Sequence, residues 1–127
     1  MTDAKAFIRE WMDATTMGPE ENFVGFAAED IVMRFPYIPA GMSDEIHGLE
    51  NVLTTFREVW KDFATFEWHD VNISKVEGED VYVATGRSEA TRAGGQPYSN
   101  SYVLFTRVRD GKVVEHVEYF NPSGLTA

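Results

Sequence analysis

Near the end of the chain the run Lys112–Phe120, KVVEHVEYF, sets His116, Glu118 and Phe120 at every second position. Alternate residues of a β-strand share a face, so Val114, His116, Glu118 and Phe120 point one way and Val113, Glu115, Val117 and Tyr119 the other. A carboxylate between an imidazole and an aromatic ring, on a strand expected to be half buried, is unfavourable unless something uses it. Poor solvation of its charged form suits such a group to taking and returning a proton, the work of a general acid or base. Proton abstraction beside a carbonyl also needs a donor for the developing enolate oxygen. Tyr98, Asn100 and Tyr102 repeat at the same spacing on the preceding strand and carry such donors. The same three side chains fit a self-pairing surface equally well, because tyrosine serves both purposes. This chemistry calls for no metal and no cofactor. In the unreactive alternative Glu118 is a solvated residue paired with Arg87 or Arg107, and His116 is a structural histidine.

The other histidines add little. His47, His69 and His116 lie on three separate elements without helical i, i+4 spacing, so no metal set is expected from them. A dyad of His69 with Asp70 is disfavoured because neighbouring strand residues face opposite ways.

These groups need a scaffold, and the pattern supplies one. Asp110-Gly111 between two alternating runs is a hairpin signal, since both central residues of a type I′ turn take positive φ. Upstream, FEWHDVNISKV from Phe66 and VYVATGRSEATR from Val81 read as strands joined by a Glu77–Asp80 turn, with RAGGQP as the loop that follows. Ahead of them, Asp3 caps an amphipathic helix that carries Phe7, Ile8, Trp11 and Met12 and ends near Met17. Gly18-Pro19 stops it and starts a brief second helix. Gly48–Phe63, with Leu49, Val52, Leu53, Phe56, Val59, Trp60 and Phe63 at helical spacing, is the third. IVMRF, Ile31–Phe35, is a strand closed by Pro36. The segment from Phe35 and Tyr37 to Met42 forms either a pocket rim with a lid or a plain surface loop. Helices first and strands last predict an α+β fold whose helices cover one face of an antiparallel sheet.

Composition narrows the function classes. The chain has 127 residues, 43% of them hydrophobic, with nine Phe, five Tyr and three Trp, enough for one packed domain over residues 1–127. Eleven basic against 21 acidic residues give a net charge of −10, which disfavours nucleic acid and anionic membranes as partners. With no cysteine, disulfides, thiolate metal sites and cysteine nucleophiles are excluded. The N-terminal residues lack the basic and apolar regions of a secretory signal, and no segment is long enough to span a bilayer, so a cytoplasmic location is expected.

The order of elements and several strings resemble the SnoaL-like polyketide cyclases of the nuclear-transport-factor-2-like, or cystatin-like, superfamily. Asp110–Glu118, DGKVVEHVE, looks like that family's DGKIxEHxD segment with glutamate for the final aspartate. Phe66–Val71, Tyr98 with Asn100 and Tyr102, and Glu118–Asn121 are similar to the small phenazine-biosynthesis proteins, which act on a ketone-bearing intermediate. The resemblance implies a curved sheet wrapped around three helices to form a cone, a pocket open at one end, and a homodimer formed through the sheet. It places Glu118 at the acid–base position. Thr55 and Val59 stand where the phenazine proteins carry a histidine and a serine, so the substrate is expected to differ. The expectation is therefore a cofactor-independent isomerase, cyclase or lyase. It would move a proton on a small hydrophobic carbonyl compound with Glu118 and His116 catalytic and Tyr98, Asn100, Tyr102, Phe120, Trp68, Phe35 and Tyr37 around the substrate. The alternative is a non-catalytic binder of a small hydrophobic ligand.

Overall fold

The computed structural model describes residues 3–122. Helix α1, Ala4–Met17, begins where the Asp3 side chain accepts the Lys5 N–H at 3.0 Å and ends at Gly18, whose φ of 69° suits a residue without Cβ. Its buried side comprises Ile8, Trp11, Met12, Ala14, Thr15 and Thr16. Helix α2, Glu20–Phe26, follows Pro19 and buries Phe23. Helix α3, Leu49–Asp62, starts after Gly48 and buries Val52, Leu53 and Phe56 along the predicted stripe.

Six strands complete the chain: β1 (Ala27–Arg34), β2 (Glu45–His47), β3 (Phe63–Lys75), β4 (Val81–Arg92), β5 (Pro97–Arg109) and β6 (Lys112–Phe120). They form one sheet in the order β2-β1-β6-β5-β4-β3. Every neighbouring pair is antiparallel except β1 and β6, which run parallel: α3 carries the chain from β2 to β3 at the far edge, and the β3–β6 meander returns to β1. The result is the expected α+β cone, with helices packed inside a curved and mostly antiparallel sheet. Strand β2 is an addition to the predicted set: three residues are too few to show a period. Asp110 and Gly111 both take positive φ, 52° and 75°, as the hairpin turn requires.

Two of the sheet's register shifts bear on the strands that carry the candidate residues. On β3 the register shifts between His69 and Asn72, with Asp70 at φ 54°, and Gly86 of β4 lies against the bulge. A Cβ there would sit 3.3 Å from Val71 Cγ2 and 3.5 Å from Trp68 Cε3, so glycine lets the strands approach. On β6 the register shifts between the pairs Arg107–Glu115 and Val108–Val113, leaving Val114 as the extra residue. This corrects the simple alternation: Val113 and His116 are both fully buried, because the bulge reverses the face upstream of it.

The buried side chains form two adjoining clusters. One packs Trp11, Phe23, Val52 and Phe56 of the helices against Ile31, Met33 and Val113. The other gathers Ile8 and Met12 with Trp68, Ala84, Tyr102 and Leu104. Among the described residues no helix is long and apolar enough to cross a membrane.

Candidate active site

A cavity of about 660 Å³ opens between α1, α3, the loop after β1 and the inner faces of β3, β5 and β6. Six of the residues singled out from the sequence line it: Phe35, Trp68, Tyr98, Tyr102, Glu118 and Phe120. Strand pairing accounts for their convergence. Tyr102 stands opposite Phe120 and Leu104 opposite Glu118, while Trp68 comes in from β3 with its ring 4.8 Å from that of Tyr102.

Glu118 keeps only 19% of its side chain exposed, and among the described residues no Lys or Arg is paired with it. Arg87 instead pairs with Asp70 at 2.6 Å and Glu89 at 2.9 Å, and Arg107 with Glu79 at 3.4 Å and Glu115 at 3.8 Å. The alternative of a salt-bridged surface carboxylate on Arg87 or Arg107 therefore does not describe it. Its neighbour is His116 Nε2, 3.4 Å from Oε1.

His116 itself does not line the cavity; it is fully buried behind Glu118. The indole N–H of Trp11 lies 3.1 Å from its Nδ1, and the Thr106 hydroxyl is equally near the same atom. An indole nitrogen can only donate, so Nδ1 must accept and the imidazole hydrogen is on Nε2, facing Glu118. Trp11, buried on α1, thus fixes the tautomer of a histidine on β6. Sequence periodicity marks Trp11 as core and carries no sign of this contact.

The β5 wall holds a second polar chain. The Asn100 backbone N–H donates to Ser88 Oγ at 3.0 Å, and Ser88 Oγ lies 3.2 Å from the Tyr102 hydroxyl. The Tyr102 phenol is pushed far above its ordinary range, first by burial, then by Tyr98 and Glu118, with Ser88 opposing. Tyr98 Oη accepts the Asn100 side-chain amide at 2.8 Å, a bond that leaves the hydrogen of the Tyr98 hydroxyl unused. Asn100 stands outside the cavity lining; its amide also donates to the Asn121 carbonyl at 2.8 Å and tethers the chain beyond β6.

Tyr37 lies elsewhere. It is 62% exposed, and its ring is 5.8 Å from that of Tyr119, which takes the opposite face of β6 from Glu118. The chain turns at Pro36, sending Phe35 inward and Tyr37 outward. Ile38, Met42 and Ser43 from the same loop line the cavity, as the lid reading of that segment requires. Thr15, Thr16, Thr55 and Val59 join them; Thr55 and Val59 are the positions where the resemblance sets the phenazine proteins' histidine and serine.

One group of potential metal ligands exists among the described residues: Glu67, His69 and Glu89, with ligand atoms within 4.8 Å of one another. It sits away from the cavity lining, with both carboxylates exposed.

The site thus sits in a mostly antiparallel, bulge-bent cone, with its carboxylate on the interior strand β6. The model of the SnoaL-like domain matches residues 8–116, and the chain belongs to that family. An uncharacterised PhzA/B-like protein of Pseudomonas aeruginosa is 27% identical over 93 residues, 72% of this chain. The match spans 64% of that relative's length, and a match to a second curated relative spans 65% of its length. A Bacillus subtilis structure provisionally described as an isomerase superposes with a TM-score of 0.84 at 21% identity, covering 97% of this chain and 89% of the other. An NTF2-like protein from Anabaena variabilis gives 0.78 at 22% identity, with coverage of 98% and 96%.

Proposed function

We propose that the protein is a cofactor-independent enzyme of isomerase or cyclase type that moves a proton on a small hydrophobic carbonyl compound. The observation that carries this is Glu118, a carboxylate with no Lys or Arg partner among the described residues, at the wall of a largely apolar cavity. Glu118 takes a proton from the carbon beside the carbonyl and returns it to the product. The carbonyl oxygen, negative in the enolate, receives the Tyr98 hydroxyl hydrogen. His116 is a positioning residue: its Nε2–H steadies one carboxylate oxygen while Trp11 holds the ring. Family likeness to polyketide cyclases and a provisional isomerase supports this class of reaction.

The test is exchange of the α-hydrogens of a cyclic ketone such as 2-tetralone for deuterium in D₂O, followed by proton NMR. Exchange faster than in protein-free buffer is expected. Ketone binding without acceleration would overturn the enzyme reading and leave the binding module. The outer face of the sheet, where Val103 and Phe105 are each 37% exposed beside Tyr119, supports assembly as a homodimer through the sheet. Sedimentation at micromolar concentration should give twice the 14.4 kDa chain mass, and a monomer would contradict it.

A further inference from the structure

The cavity is rich in hydroxyl groups, yet most are already committed to the protein's own backbone. Thr15 Oγ1 donates to the Met12 carbonyl at 2.7 Å, and Thr16 Oγ1 to Asp13 at 3.2 Å. Thr55 Oγ1 donates to Asn51 at 3.4 Å, and Ser43 Oγ to Glu45 at 2.8 Å. The Trp68 indole N–H lies 3.3 Å from the Met12 carbonyl. Tyr102 is engaged with Ser88, so what remains for a ligand is the Tyr98 hydroxyl, which accepts from the Asn100 amide, and the Glu118 carboxylate, both supplied by the β5–β6 hairpin.

Charge is distributed just as unevenly. Among the described residues the lining contains no Lys, Arg or His, and its three ionisable acids are Glu58, Asp62 and Glu118. The two at the mouth have cations of their own: Lys61 lies 3.4 Å from Glu58 and Arg92 lies 2.9 Å from Asp62. Arg92 is held by Asp62 and by the face of the Tyr98 ring, 4.9 Å from its centroid. Nothing in the lining compensates a ligand anion, and the half-buried Glu118 repels one.

We infer that the cavity selects an uncharged ligand with an apolar body and a single polar end, a ketone or its enol, and excludes molecules that carry a carboxylate or phosphate. This rests on the reading of Glu118 as the proton-carrying carboxylate. The polar end lies at the β5–β6 hairpin, between the Tyr98 hydroxyl and Glu118. The body lies against Phe35, Phe66 and Trp68 and the helical threonines, whose methyl groups remain available once their hydroxyls turn to the backbone.

The experiment is calorimetric titration of the protein with 2-naphthol and with 2-naphthoate at pH 7.5, two probes sharing one ring system and differing in charge. The expected result is binding of 2-naphthol at least about tenfold tighter than 2-naphthoate, the scale of one uncompensated like charge at a partly buried site. In Glu118→Gln the gap should narrow. Equal or tighter binding of 2-naphthoate by the wild-type protein, or binding of neither probe, would overturn the inference. Preference for 2-naphthol together with failure to exchange ketone hydrogens would overturn the proposed reaction and leave the charge selection standing. Exchange with no preference would do the reverse.

Discussion

Both walls of the cavity carry hydroxyl groups, four on the helix and loop side and two on the sheet side, and they offer a ligand different things. On the helix and loop side, Thr15, Thr16, Thr55 and Ser43 donate to carbonyls two to four residues away. Helices and turns present those carbonyls within reach, so a hydroxyl there is locally satisfied and the residue acts on a ligand as hydrocarbon. On the sheet side, strand carbonyls are engaged in the ladder, so the hydroxyls meet other side chains: Tyr102 meets Ser88, and Tyr98 accepts the Asn100 amide with its own hydrogen unused in that bond. The difference teaches that a polar lining residue counts toward recognition only when secondary structure leaves its hydrogen free.

Glu118→Gln is the most drastic way to break the active wall. It keeps the shape and removes the base, and α-hydrogen exchange should fall by at least about a hundredfold, within the range typical of acid–base groups. The NMR assay that follows ketone deuteration checks this, and retained exchange would move the chemistry away from the hairpin. Tyr98→Phe should slow exchange about tenfold to a hundredfold by removing the donor to the enolate. Thr55→Val, on the other wall, should alter it less than about threefold, because its hydroxyl already belongs to Asn51. Similar losses in the two variants would erase the distinction between the walls.

A smaller effect is expected from Trp11→Phe, which acts through two other residues. The ring volume is largely kept, while His116 Nδ1 loses its obligatory donor. Exchange should drop about tenfold in kcat with little change in KM, and urea unfolding should register about 1–3 kcal/mol. Unchanged kcat with the same loss of stability would make the contact purely structural. The smallest effect concerns pH. Burial holds the Tyr102 phenol protonated in the folded state above its ordinary value of 10.0. The unfolded chain therefore binds fewer protons above about pH 10, and this contribution to stability, intact below that pH, declines as pH rises further. Urea midpoints at pH 9 and 11 should fall less in Tyr102→Phe than in the wild type.

Much of the fold was readable because its long elements keep a single period. The stripe from Leu49 to Trp60 and the alternation on both sides of Asp110-Gly111 survive in α3, β5 and β6. What escaped were features without a period. Glu45–His47 is too short, and the extra residue at Val114 hides inside an apolar pair that looks regular. The candidate site divides in the same way. Glu118, Tyr98 and Tyr102 stood out because strand alternation put polar groups on a face meant for the core. Tyr37 was misplaced because a turn at Pro36 cancels alternation, and the roles of Trp11 and Ser88 depend on contacts across 105 and 14 residues that no local pattern encodes.

The central claim is that a ketone lies with its oxygen at the Tyr98 hydroxyl and its acidic carbon at Glu118. The carbonyl stretching frequency of bound 2-tetralone, read by infrared difference spectroscopy with a ¹³C-labelled carbonyl, reports that contact directly. The account predicts a frequency lowered from its value in hydrocarbon, moving back toward that value in Tyr98→Phe. A bound ketone that absorbs at its hydrocarbon frequency in the wild-type protein would contradict it.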